Sequence, residues 1–237
     1  MNNYVIVTSA NNILLEKFAR SNILSWRRRF SKDVKITLFS EDDISMDGVK
    51  TCVFNSNQLS FFKENADKNG IFNKRYNYSF DVIRFSFKSF SIINSARNFY
   101  KKADVLIWLD SDIYARNDIS HNFLKKIAPL SYHGSFIGRY SKHSETGFLA
   151  FNLKEIPQSF FDKWEDLYLN GGIFKLDAFH DAEVFDVLRN EFCKLNWLNL
   201  SSNNRAMFCQ NPFEKTILGL CFQHFKGGAK YAKGNIF

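Results

Sequence analysis

The chain has 237 residues, enough for one ordinary domain with a full core. Hydrophobic residues make up 45% and charged residues 24%, with only 11 Gly and 3 Pro, which excludes a disordered or low-complexity chain. The net charge of +8 suits anionic partners, yet the same Lys-, Asn- and Phe-rich composition arises from AT-rich coding without selection for binding.

Cys52, Cys193, Cys209 and Cys221 form no CxxC pair, and no basic leader precedes the strand-like Val5-Ile6-Val7. Free thiols in a reducing cytoplasm are the expectation. No apolar stretch approaches the roughly 20 residues of a membrane span, so the expected protein is cytoplasmic and at most peripheral to a membrane.

In chain order, residues 4–8 read as a first strand. A helix follows, capped by Asn11 or Asn12, with Leu15, Ala19, Ile23, Trp26 and Phe30 on one face. Arg27-Arg28-Arg29 falls in its last turn, where cations favour the dipole. Residues 34–39 are the second strand, and strand–helix–strand at this spacing predicts a parallel βαβ unit. Residues 44–78 show only a short strand at 50–54 and a polar, Asn-rich remainder.

A long helix is predicted from Ser79 to Phe99. Phe80, Ile83, Phe87 and Phe90 form its apolar stripe; Asp81, Arg84, Lys88, Ser91 and Ser95 lie opposite. The unbroken apolar run Val105–Leu109 predicts a strand buried on both faces. Beyond it come a helix at 122–127, strands at 136–138 and 148–152, and a helix opened by Pro157 and ended by Gly171-Gly172. Another helix follows His180-Asp181, and residues 197–200 form a late strand.

Asp110-Ser111-Asp112 emerges at the end of the buried strand, the edge where open α/β sheets bind ligands. Positions two apart in extended chain point the same way, so the two carboxylates can share a hard divalent cation. An ordinary turn is the competing reading. Arg84 and Lys88 stand one helical turn apart; they either grip an anion or form a solvated face. His224 can complete a two-Asp metal site. Glu145-Thr146-Gly147, just ahead of a strand, can shape a sugar pocket. Asp181 at a helix start is either a site carboxylate or a cap.

Together these segments resemble the glycosyltransferases of the GT-A fold. Asp110-Ser111-Asp112 looks like their DxD motif, and Arg84-Phe-Ser-Phe-Lys88 is similar to a donor-binding helix of several such families. His224-Phe-Lys-Gly-Gly-Ala-Lys230 looks like the HxxGxxK element of the glycogenin and galactosyltransferase-like family. The usual tryptophan after the final lysine is replaced by Tyr231, and the acidic motif at His180-Asp181 lacks the usual DQD form.

The resemblance implies a single domain over 1–237 with a mixed, mainly parallel sheet flanked by helices. Residues 1–115 form its nucleotide-binding half, and residues 116–237 its acceptor half and donor-binding tail. It implies Mn²⁺ (or Mg²⁺) on Asp110, Asp112 and His224. Thr8, Ser9, Arg84, Lys88, Ser111, Lys226, Gly227 and Lys230 would hold a nucleotide-sugar donor, UDP-sugar by preference. Asp181, with Glu145 as second choice, would face the reacting sugar, either as general base or by orienting the donor. The acceptor is a glycan, a lipid-linked saccharide or another hydroxyl.

Two rivals differ in class. A sugar nucleotidyltransferase carries a Gly-rich basic loop after its first strand, and Thr8–Asn12 has neither feature. A nucleic-acid-binding module explains the charge, but the Phe residues fall on core periodicities and no dense basic stripe is visible, so no nucleic-acid partner is expected.

Overall fold

The computed structural model describes residues 2–72, 75–140, 142–201 and 205–226. Gly227, Gly228 and Lys230 lie outside the described residues.

Strand β1 (Tyr4–Ser9) leads into α1 (Asn12–Leu14), a π turn (Leu15–Ala19) and α2 (Arg20–Arg29). Asn11 is the cap, accepting the Leu14 N–H. Leu15, Ala19, Ile23, Trp26 and Phe30 are all buried, as their spacing predicts, and the three arginines occupy the last turn. The helical segment returns the chain to β2 (Lys35–Phe39), which pairs with β1 in parallel.

The polar stretch that follows is more structured than its sequence suggests. After β3 (Lys50–Cys52), Asn55 and Gln58 close a capping box at the start of α3 (Ser56–Glu64). Strands β4 (Asn69–Phe72) and β5 (Arg75–Asp81) then form a separate two-stranded sheet. Its weak hydrophobic signal has a physical reason: Ile71, Tyr76 and Tyr78 are exposed instead of facing the core.

Helix α4 (Val82–Phe99) starts later than its periodicity predicts. Ser79 is still in β5, and Asp81 caps the helix by accepting the Arg84 N–H. The face assignment also needs correction. Lys88, Ser91 and Ser95 are buried, whereas Ile83 and Phe87 are only half-buried. Several of the helix's buried serines are satisfied there: Ser86 and Ser91 donate to carbonyls of their own helix, and Ser89 donates to the Tyr168 hydroxyl.

Strand β6 (Val105–Leu109) is buried throughout. It is followed by β7 (Ile113–Ala115), α5 (His121–Ile127), β8 (Gly134–Arg139) and β9 (Lys142–Asn152). Pro157 is the N-cap of α6 (Gln158–Leu169), not its first helical residue, and left-handed Gly171 (φ 70°) lies just past its end. Helix α7 (Asp181–Glu191), β10 (Trp197–Asn199) and β11 (Phe222–His224) complete the described elements.

The main sheet has seven strands in the order β10-β8-β9-β6-β1-β2-β3. β6, β1, β2 and β3 run parallel; β9 is antiparallel to both β6 and β8. Alternation along each strand feeds two cores. Tyr4, Ile6, Val105, Ile107 and Leu109 pack with α2, while Val5, Val7, Leu106 and Trp108 pack with α4, α6 and α7. The result is three layers, with the C-terminal edges of β1 and β6 opening into one cleft.

Candidate active site

Asp110, Ser111 and Asp112 leave β6 at that edge. The loop is pinned from two sides. The Asp110 N–H donates to the Gly147 carbonyl on β9 at 3.0 Å. From α2, Asn22 donates to the Ser111 carbonyl at 2.9 Å and the Trp26 indole to the Ile113 carbonyl at 2.8 Å. Such backbone anchoring distinguishes this segment from a mobile turn.

The two oxygens of Asp110 have different surroundings. Oδ1 accepts from the Trp108 indole at 2.7 Å and from Lys88 Nζ at 2.9 Å. Oδ2 faces His224 Nε2, 4.0 Å away, and Asp112 Oδ1 lies 3.1 Å from the same nitrogen. Strand β11 delivers the histidine by pairing antiparallel with β7, which sets His224 opposite Ile113. One ligand atom each from Asp110, Asp112 and His224 lie within 4.8 Å of one another.

This donor set fits a divalent cation. Two carboxylates and one imidazole suit Mn²⁺ better than the all-oxygen shell Mg²⁺ prefers. Space for the imidazole comes from Gly147, where a Cβ would stand 2.6 Å from His224 Cε1. Four carboxylates, Asp110, Asp112, Glu145 and Asp181, gather here beside the Lys88 and Lys226 ammonium groups and the Arg139 guanidinium.

Lys88 is the hub of the second layer. Its side chain is nearly all buried and reaches Asp181 Oδ2 at 2.7 Å as well as Asp110. Burial by itself lowers an ammonium pKa; here the charges of Asp110 and Asp181 outweigh it and hold Lys88 above the ordinary lysine value. For Asp181, burial raises the pKa, but Lys88 and a hydrogen bond from Thr146 overcome it and hold the carboxyl below its ordinary value. His180, not Asp181, is the cap of α7: its Nδ1 accepts the Glu183 N–H at 3.0 Å. Asp181 is thereby freed to point at Lys88.

Glu145 is buried and turns toward the metal-ligand histidine. Its Oε1 lies 3.8 Å from His224 Nδ1, and its Oε2 pairs with Lys226. Burial opposes ionisation, but Lys226 and His224 hold its pKa below the usual carboxylate value. The segment expected to shape a sugar pocket therefore braces the ligands from behind. Gly147, named with Glu145 in the sequence, belongs to the same brace, as does Trp108, which the sequence did not single out; Thr146 holds Asp181 instead. The signal available for Trp108 was its place two residues before Asp110, on the same side of the strand.

A cleft of about 790 Å³ runs past these groups. Ser9, Ser40 and Glu41 line it near the ends of β1 and β2; Arg84, Lys88, Ser111, Glu145, Asp181 and Lys226 line it as well. Arg84 is exposed near the rim, whereas Lys88 is sunk beneath it, so the two do not form one surface clamp. Thr8 is fully buried within β1 and is not part of the cleft wall. The sequence-level set missed Arg139, Tyr76 and Tyr78, which also border the cleft, as does His180 of the His180-Asp181 pair.

No protein-family model and no curated protein matches the chain. Among solved structures, it is similar to the apo form of mouse xyloside xylosyltransferase 1, with a TM-score of 0.51 and 14% identity over 83% of this chain and 84% of that one. At that identity the likeness concerns the fold. The chain has the GT-A fold, a mixed, mainly parallel sheet flanked by helices, as its motifs imply.

Proposed function

We propose that the chain is a metal-dependent glycosyltransferase that moves a sugar from a nucleoside-diphosphate donor, a UDP-sugar by preference, to a saccharide hydroxyl. The observation that carries this reading is the Asp110–Asp112–His224 cluster at the C-terminal edge of β6, inside the cleft of a GT-A fold. Bound there, Mn²⁺ (or Mg²⁺) supplies Lewis-acid neutralisation of the diphosphate leaving group.

In this reading Ser9 and Ser111 contact the nucleotide side of the donor, in the half formed by 1–115. Arg84 and Lys226, both in the cleft lining, would meet the diphosphate, with Gly227 and Lys230 of the tail as further donor-binding residues. Thr8 supports the first loop from beneath. Residues 116–237 supply Asp181 and part of the acceptor wall. Lys88 acts through Asp110 and Asp181, fixing one ligand oxygen and one sugar-facing carboxylate. Asp181, held ionised by Lys88, would face the reacting sugar, as general base if the sugar is inverted and as donor-orienting group if it is retained. Glu145 takes the part of a positioning group for His224 and Lys226.

Calorimetry with UDP, with and without Mn²⁺, tests the reading on wild type and Asp112→Ala. Metal-dependent binding is expected, weakened roughly 100-fold or more by loss of a ligand, the upper end of what even outer-shell changes cost. Undiminished binding by the variant would sink the site assignment. Failure of wild type to bind any nucleoside diphosphate would sink the function, and tight, salt-sensitive DNA binding would favour a nucleic-acid module.

A further inference from the structure

The β4–β5 hairpin is not needed to hold the metal cluster, and its chemistry is distinct. Tyr76 and Tyr78 both line the cleft, and both are more than half exposed, at 54% and 59%. They stand two apart on one strand, so they share a face with about 7 Å between them. Exposed tyrosines are common singly, but here two share one cleft-facing strand and Tyr76 is built in. The Tyr76 ring lies against the backbone of Gly70, where a Cβ would come within 2.8 Å of its Cε2. Its hydroxyl donates to Asp81 Oδ2 at 3.0 Å and accepts from Arg84 Nη1 at 3.3 Å. With back and tip both held, the ring is preorganised to offer its open face.

The hairpin's attachment shows which end of the cleft it serves. Phe179 donates its N–H to the Ser79 carbonyl at 2.7 Å, and the Phe80 and Phe179 rings pack at 5.3 Å. Phe179 immediately precedes His180 and Asp181, so the tyrosines are tethered on the side of the sugar-facing carboxylate. The ends of β1 and β2, with Ser9, Ser40 and Glu41, line the same cleft.

We propose that Tyr76 and Tyr78 form the acceptor platform, and that the acceptor is a carbohydrate whose ring lays an apolar C–H face on them. An aromatic surface with hydrogen-bonding groups at its margin, here the two phenol hydroxyls, matches a pyranose, which is apolar on its faces and hydroxylated at its edge. A flexible peptide hydroxyl or an acyl chain would use neither the spacing nor the rim. The proposal rests on the glycosyltransferase reading for the word acceptor, but the platform itself is testable without turnover.

The test compares wild type, Tyr78→Ala and Tyr76→Phe, each checked for native circular dichroism. Saturation-transfer NMR is run with methyl glycosides of the common pentoses and hexoses, in parallel with UDP–Mn²⁺ calorimetry. Wild type is expected to transfer saturation to the ring protons of at least one glycoside. Tyr78→Ala weakens that binding roughly five- to tenfold, the scale of one aromatic contact, while UDP affinity stays within about twofold. Tyr76→Phe keeps the stacking face and loses only rim hydrogen bonding, so it binds the glycoside better than Tyr78→Ala. Absence of transfer from every glycoside, or equal transfer in Tyr78→Ala, overturns the platform whatever UDP does. A parallel loss of UDP affinity in Tyr78→Ala also overturns it, because the tyrosines would then carry the nucleobase. Wild type that binds glycosides but no UDP overturns the glycosyltransferase reading and leaves the platform standing.

Discussion

At the scale of single residues, the site depends on groups that carry no charge as much as on those that do. Gly147 has no chemistry of its own, yet any side chain there meets His224. The imidazole cannot simply slide away, because Phe213 packs on it at 5.2 Å between ring centroids and Asp112 sits at its Nε2. Gly147→Ala is therefore expected to weaken Mn²⁺ binding roughly 10- to 100-fold, as loss of outer-shell positioning does elsewhere. Titration of Mn²⁺ followed by electron paramagnetic resonance measures this directly. Thr146→Val is the companion variant: it removes the hydrogen bond to Asp181 but leaves the His224 space intact, and its Mn²⁺ affinity should match wild type. Equal affinity in Gly147→Ala would show that the glycine does not set the ligand geometry.

At the scale of elements, the start of α7 contains a pH-sensitive cap. His180 Nδ1 can accept the Glu183 N–H only while that nitrogen is unprotonated. Burial lowers the His180 pKa, the charge of Asp181 pulls it back up, and His143 lowers it further; the net direction is down. Below the ordinary histidine value of about 6.5 the unfolded chain binds a proton that the native chain resists, so stability falls as pH drops through that value. The loss levels off once pH is below the lowered native value. His180→Asn retains a capping acceptor without the titration. Urea midpoints between pH 7.5 and 5.5 should fall further for wild type than for His180→Asn. The surrounding His143, Arg139, Glu183 and Asp186 remain in both proteins, so the difference between them isolates His180. Identical slopes would remove His180 from the account.

At the scale of the whole molecule, the metal cluster joins distant parts of the chain. β11 hydrogen-bonds to β7, and Phe225 donates to the Asp112 carbonyl at 3.0 Å, but the strand is short and packs at the end of the chain's described part. A cation shared by Asp110, Asp112 and His224 would add a third tie between β11 and the edge of β6. Opening of β11 then requires release of the ion, so Mn²⁺ should slow amide hydrogen exchange over 222–226. Mass spectrometry of exchange with and without Mn²⁺ measures the effect, and Asp112→Ala should abolish it. Protection unaffected by the metal in wild type would mean that β11 is held without it.

Much of this was legible in the sequence because it depends on local pattern. The apolar run 105–109 followed by Asp-Ser-Asp is a strand with carboxylates at its end wherever the run is buried, and the 3.6-residue spacing from Leu15 to Phe30 specifies a helix with one buried face. The βαβ order then makes β1 and β2 parallel. Where sequence reading failed, the deciding contacts are non-local. The face of α4 looked polar because serine and lysine are polar, yet hydroxyls that bond their own helix and an ammonium between two carboxylates are satisfied when buried. The hairpin at 69–81 packs outside the main core, so it lacks the hydrophobic alternation that announces a half-buried strand. Glu145 could be named as a useful acid from its motif, but only the pairing of β9 with β6, and the return of β11 to β7, decides that it faces His224 and Lys226. The sequence by itself determined which groups can hold a cation and which strand presents them. The tertiary structure decided which carboxylate meets which base, because those distances arise from pairings between segments far apart in the chain.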